Sequence, residues 1–215
     1  MTFKLAFAAA ALAASGLAQS ATIDWNTWTS ATGGTINTSS GPVTVGFSGE
    51  PSAVVNNYPS WGPSSTFADG TIVANAPTPA NGILQIMGGS TDVVTLTFST
   101  PVVNPVMSIW SLGQGGIDAS FDFTDATVMY VSGGVSTEYT GQGIVVTGND
   151  VSGNEGNGTV EFLGTYSSIS WTNPVFENWY GFNVGVSAVP EPGSMGLLLA
   201  GLTLVGLAAR RRQKR

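Results

Sequence analysis

The chain has 215 residues, with 6 Lys and Arg against 13 Asp and Glu and with no His or Cys. Its cations are Lys4, Arg210, Arg211, Arg212, Lys214 and Arg215, so the span from Leu5 to Ala209 holds every acid and no side-chain base. This excludes thiol and imidazole nucleophiles, Schiff-base lysines, zinc-thiolate sites, disulfides and nucleic-acid binding, and leaves the chemistry of carboxylates, amides, hydroxyls and aromatic rings.

Residues 1–20 read as a secretory signal peptide: Lys4, an apolar helical run over 5–12, and small residues at Ala18 and Ser20. Cleavage is expected after Ser20, with Ala18 and Ala21 as near alternatives. Removal of this segment and of residues 190–215 leaves an exported body of residues 21–189, long enough for one domain with its own core.

Along the body, 29 Gly and 11 Pro in the whole chain punctuate short β-branched and aromatic runs, and no helical spacing of apolar residues occurs outside the two ends. Residues 21–42 and 56–81, rich in Ser, Thr, Asn, Pro and Gly, read as long surface loops. Strands are expected over residues 43–47, 83–87, 93–98, 106–112, 121–123, 127–132, 143–147, 160–162, 169–171 and 182–186. In 93–98 the side chains of Val94, Leu96 and Phe98 share one face. About ten strands at roughly ten-residue spacing predict an all-β protein, a β-sandwich of jelly-roll type, flanked by the signal helix and a C-terminal transmembrane helix.

Residues 149–158 concentrate oxygen donors. On the EF-hand template Asp150, Ser152, Asn154 and Glu161 fall on ligand positions, but Glu155 stands where the sharp turn needs Gly, so an EF-hand is excluded. A generic calcium loop using Asp150, Asn154 and Glu155 remains open beside a Gly- and Asn-rich turn. Asp118, Asp122 and Asp125 form a second acidic group, read mainly as a solvated strand face because Phe121 and Phe123 take the inward positions.

Trp25, Trp28, Tyr58, Trp61, Trp179 and Tyr180 fall in or beside expected loops. Rings with Asn and Asp neighbours can hold sugars, which makes Trp25, Trp61 and Trp179 candidate carbohydrate contacts; the alternative is that they cover the ends of the sandwich. Trp110 and Trp171 lie on strand patterns and are assigned to the core. Glu138, Glu155, Glu161 and Glu177 could in principle supply a glycosidase pair, but sequence spacing does not set the distance that this chemistry needs. The body is therefore read as non-enzymatic.

The tail is the most specific segment: Pro190-Glu191-Pro192, an apolar stretch over 193–209, then Arg210, Arg211, Arg212, Lys214 and Arg215. As a helix the stretch would be roughly 25 Å long, enough to span a membrane with the arginines snorkelling and the basic end cytoplasmic. This order closely resembles the PEP-CTERM sorting signal of Gram-negative bacteria. A Leu-Pro-x-Thr-Gly box is absent, and the basic end disfavours a GPI signal.

The resemblance implies a precursor anchored in the inner membrane, cleaved near Pro-Glu-Pro by an exosortase, a membrane-embedded Cys-dependent enzyme, and then released or transferred to the cell surface. It also implies association with exopolysaccharide and biofilm. Residues 153–159 and 168–172 are similar to domains of PEP-CTERM proteins for which no activity is implied. The expected function is a sorted surface or matrix protein without a cofactor; the alternative is a calcium-stabilised carbohydrate-binding module.

Overall fold

The structure, a computed structural model, describes residues 20–188 apart from 59 and 139. The expected signal helix, the membrane helix of 193–209, Pro190, Glu191, Pro192 and the basic tail lie outside the described residues.

The body is almost entirely strand. In chain order the strands are β1 (Ile23–Ser30), β2 (Gly33–Thr38), β3 (Gly41–Ser48), β4 (Pro51–Val55), β5 (Ile83–Ile86), β6 (Ser90–Val103), β7 (Val106–Leu112), β8 (Ala119–Phe123), β9 (Val128–Gly133), β10 (Gln142–Gly143), β11 (Val145–Thr147), β12 (Asp150–Gly153), β13 (Gly156–Phe162), β14 (Thr165–Asn173) and β15 (Tyr180–Ser187). A four-residue helix α1 (Ser64–Phe67) and a 3-10 turn (Pro79–Asn81) interrupt the segment between β4 and β5.

Pairing runs without a break as β10-β13-β7-β15-β1-β2-β3-β6-β14-β8-β12-β11, so the sheet is nearly closed on itself. Strand β1 joins its two halves. Its first residues pair with β15 (Ile23 with Ser187, Trp25 with Gly185), and its later ones with β2 (Asn26 with Ile36, Trp28 with Gly34). Inward side chains of both halves meet in one core that includes Trp28, Phe47, Phe121, Trp171 and Phe182. Edge-to-face packing orders these rings: Trp171 and Phe182 lie 5.6 Å apart at 89°, and Trp28 and Phe182 5.8 Å apart at 89°.

The two halves differ in what covers their outer faces. On the half holding β2, β3, β6 and β14 many outward positions are hydroxyl-bearing and meet water, with Thr27, Thr35 and Thr44 in register across β1, β2 and β3 and Ser48, Thr95 and Ser170 across β3, β6 and β14. That is why β6 alternates cleanly. The other half is covered by residues 56–82. Ile23, Trp25, Val106 and Val131 pack on Val73, while Trp110 and Ile83 pack with Trp61 and Phe67. Hence every residue of β7 and β13 is buried.

Several polar side chains under the cover bond to it or to the neighbouring strand, although Asn183 Oδ1 and Ser132 Oγ make no hydrogen bond. Thr159 Oγ1 donates to Phe67 O at 2.8 Å, Trp25 Nε1 donates to Asn75 O at 3.0 Å, and Asn183 Nδ2 reaches Asn26 O, Asn81 O and Gly82 O at 3.0, 3.1 and 2.8 Å.

The loop expected at residues 21–42 is instead β1, β2 and the start of β3. Residues 143–147 divide into β10 and β11, and β4 and β12 are additional strands. Residues 56–81 are a connection as expected, but one that packs over a sheet face.

Candidate functional site

The register of β7 on β13 places Gly156 opposite Leu112, which brings the turn before β13 against the end of β7. Ser111 and Glu155 both adopt positive φ there, 58° and 56°, although neither is glycine. Ser111 Oγ donates to Glu155 Oε2 at 2.6 Å, and the neighbouring Asn157 ties the two backbones, accepting from Ser111 N at 2.9 Å and donating to Glu155 O at 2.9 Å.

The connection from β14 to β15 supplies the facing wall. Its Glu177 is anchored by its own amide to Met87 O at 3.0 Å and is only 2% exposed. Glu177 Oε1 accepts from Trp179 N at 2.8 Å, whereas Oε2 has no hydrogen-bond partner. Asn178 Nδ2 donates to Gln114 Oε1 at 3.0 Å, and the half-buried Trp179 ring lies 4.6 Å from that of Trp110. Ser111, Gln114, Glu155, Glu177, Asn178 and Trp179 enclose a pocket of about 150 Å³. Burial pushes the Glu177 carboxyl up to about 8, and the Glu155 charge adds to the rise, while the Trp179 and Gly113 amides temper it.

The sequence candidates fall as follows. Asp150 is exposed on β12, opposite Asp122 of β8. Asn154 Nδ2 donates to Asp118 Oδ1 at 3.0 Å, and Asp125 Oδ1 accepts from Ser170 N at 2.8 Å. Among the described residues no three acids gather in a metal-holding group. Asp150, Asn154 and Glu155 thus take separate partners, because β12 and β13 part to different halves of the sheet at Asn154 and Glu155.

Trp25 and Trp61 do not form an exposed platform. At 6% and 5% exposure they are packed beneath and within the covering segment; of the three candidate contacts, Trp179 retains an open edge. Trp110 and Trp171 are core, as expected, and Trp28 and Tyr180 join them in the interior. Of the four glutamates, Glu155 and Glu177 share a pocket. Glu161 lies elsewhere, on the covered face, where burial raises its carboxyl above the usual range.

A second, larger cavity had no sequence signal. It opens where the β3–β4, β5–β6 and β14–β15 connections cross between the halves, has a volume of about 420 Å³, and is lined by Phe47, Glu50, Ile86, Asp92, Val94 and Phe176 among others. Its floor is apolar, two carboxylates stand in its wall, and Phe176 at the rim is 59% exposed.

An acidic all-β body followed by a tripartite tail defines a protein built to be sorted. The tail identifies the route: residues 188–212 match the family model of the PEP-CTERM protein-sorting motif. The chain carries this signal, which indicates exosortase-dependent passage from a membrane-anchored precursor to the cell surface. The match takes in Pro190, Glu191, Pro192, the apolar span and Arg210, Arg211 and Arg212. No curated protein and no solved structure matches the chain. Among the described residues no helix is long and apolar enough to cross a membrane.

Proposed function

We propose that the body is a non-enzymatic component of the cell surface or extracellular matrix, of β-sandwich type with jelly-roll-like layering, which holds exopolysaccharide in the larger cavity and acts in the biofilm matrix. The observation that carries this reading is the solvent-open Phe176 ring at the rim of an apolar cleft bearing Glu50 and Asp92. A sugar presents the complementary chemistry, an apolar ring face for stacking and hydroxyls that donate to carboxylates. With no cation anywhere from Leu5 to Ala209, the cleft favours neutral over polyanionic chains.

Pull-down of the full-length protein on neutral and polyanionic exopolysaccharides tests this. Retention by neutral polymer that falls roughly two- to tenfold in Phe176→Ala, as expected for loss of a stacking ring, supports the reading. Equal retention of both proteins, or none, refutes it. Sorting has its own test: Glu191→Ala or removal of the arginine cluster should leave full-mass precursor in the membrane, and unchanged release would reduce the tail to a plain anchor.

A further inference from the structure

We propose that the pocket between the end of β7, the β12–β13 turn and the β14–β15 connection is a binding site for one divalent cation, with Glu155 and Glu177 as charged ligands and Gln114, Asn178 and Ser111 as neutral oxygen donors. The first support is Glu177 itself. It is 2% exposed, it lines the pocket, and its Oε2 has no hydrogen-bond partner. A buried carboxylate oxygen without a donor is costly when charged, and proteins relieve that cost by keeping the proton, by pairing or by metal coordination. Pairing is closed to this chain, because no Lys, Arg or His lies between Leu5 and Ala209.

The second support is the donor set. Five of the six residues enclosing the pocket carry a side-chain oxygen, two of them as carboxylates, and the sixth is Trp179. No sulfur or imidazole is present, so the site suits a hard cation. Ser111 Oγ holds Glu155 Oε2, which fixes that carboxylate and leaves Oε1 for the ion. Gln114 Oε1 accepts a single bond, from Asn178, and a carbonyl oxygen has a second lone pair to give.

Size and rigidity then choose among cations. The pocket holds about 150 Å³, the liquid volume of roughly five waters, enough for an ion that keeps part of its hydration shell. The donors come from three connections with different geometries, an arrangement that the variable coordination of Ca²⁺ tolerates and the octahedral demand of Mg²⁺ does not. Ca²⁺ would tie those three connections together. Cation binding here needs no glycan, so it stands or falls independently of the cleft.

Terbium is the probe, since Trp179 lines the pocket and transfers excitation to a lanthanide held there. The full-length protein in detergent, titrated with Tb³⁺ under tryptophan excitation, should give sensitised emission that Ca²⁺ displaces. Calorimetry with Ca²⁺ alone should show one site, with Kd of about 10⁻⁴ to 10⁻³ M, the range of extracellular modules. Glu177→Gln and Glu155→Gln should each weaken binding at least about tenfold, as loss of one of two charged ligands requires. Asp150→Asn, which alters the oxygen-rich loop but not the pocket, should leave affinity unchanged.

Absence of sensitised emission, or emission indifferent to both glutamate substitutions, would overturn the proposal. So would loss of binding in Asp150→Asn with retention in Glu177→Gln. Near-UV circular dichroism monitors folding of each variant. Should Glu177→Gln misfold, Gln114→Leu at the pocket mouth must still lower Ca²⁺ affinity; wild-type affinity there would refute the site.

Discussion

Glu177 makes the stability of this protein depend on pH in a direction opposite to that of most surface carboxylates. In the unfolded chain it ionises near 4.5, and in the fold near 8, because burial disfavours the charge and Glu155 repels it. Below pH 4.5 it is protonated in both states and contributes no penalty. Between 4.5 and 8 the unfolded state releases a proton that the native state retains, so stability falls as pH rises, and above 8 the whole penalty is present.

The size of that penalty is roughly 5 kcal/mol, from 1.36 kcal/mol per pH unit between the two values. For a body of this length it corresponds to a midpoint shift on the order of 10–20 °C. Burial sets most of it, with the Glu155 charge adding to it and the Trp179 and Gly113 amides opposing it; the buried Tyr180 phenol is in turn held above its usual range by burial first and by Glu177 next. Thermal melts in chelator from pH 5 to pH 9, on the wild type and Glu177→Gln, isolate the effect. Asp24, Glu138 and Glu161 are also raised by burial, but they contribute equally to both curves. The variant should be the more stable protein at pH 9 and should lose most of the difference at pH 5. Parallel curves across the whole range would refute the reasoning.

Three further outcomes are expected. Trp171→Ala removes a fully buried ring in contact with Phe47, Phe121, Phe123 and Phe182, and should cost about 3–5 kcal/mol in urea unfolding at fixed pH. Asn183→Leu preserves bulk but strips the donor from three carbonyls; it should cost roughly 2–4 kcal/mol and speed hydrogen exchange in the covering segment near Asn81. If processing removes both basic ends, protein extracted from the cell surface and unfolded in urea should be unchanged in mass by trypsin, because no Lys or Arg lies between Leu5 and Ala209. A trypsin-shortened product would mean that a basic end survived and that processing failed.

What could be read from the sequence follows from which strand faces meet water. Val94, Leu96 and Phe98 declared β6 because their neighbours Thr95, Thr97 and Ser99 are outward and polar. Strand β1 was hidden for a physical reason. Ile23 and Trp25 point under the covering segment on one face, whereas Trp28 points into the central core on the other, so the apolar residues change face along the strand and no single alternating pattern runs through it. Trp25 and Trp61 looked exposed because Asp24, Asn26 and Ser60 flank them. Their burial depends on residues 56–82 lying over a sheet, which no local pattern specifies.

The acidic pocket was illegible for the same reason. Adjacency groups Glu155 with Asp150 and Asn154, but Asp150 lies on β12, Asn154 bonds to Asp118 and Glu155 to Ser111, and the glutamate that shares the Glu155 pocket, Glu177, arrives from the connection between two later strands. The composition nevertheless contained half of the argument. A body stripped of every cation can bury a carboxylate only by keeping its proton, by hydrogen bonding to amides, or by recruiting a metal. The Trp179 amide bonds Oε1 of Glu177 and the Gly113 amide also favours its charge, while Oε2 makes no hydrogen bond, so below about pH 8 the group keeps its proton and a bound cation would be what lets it ionise.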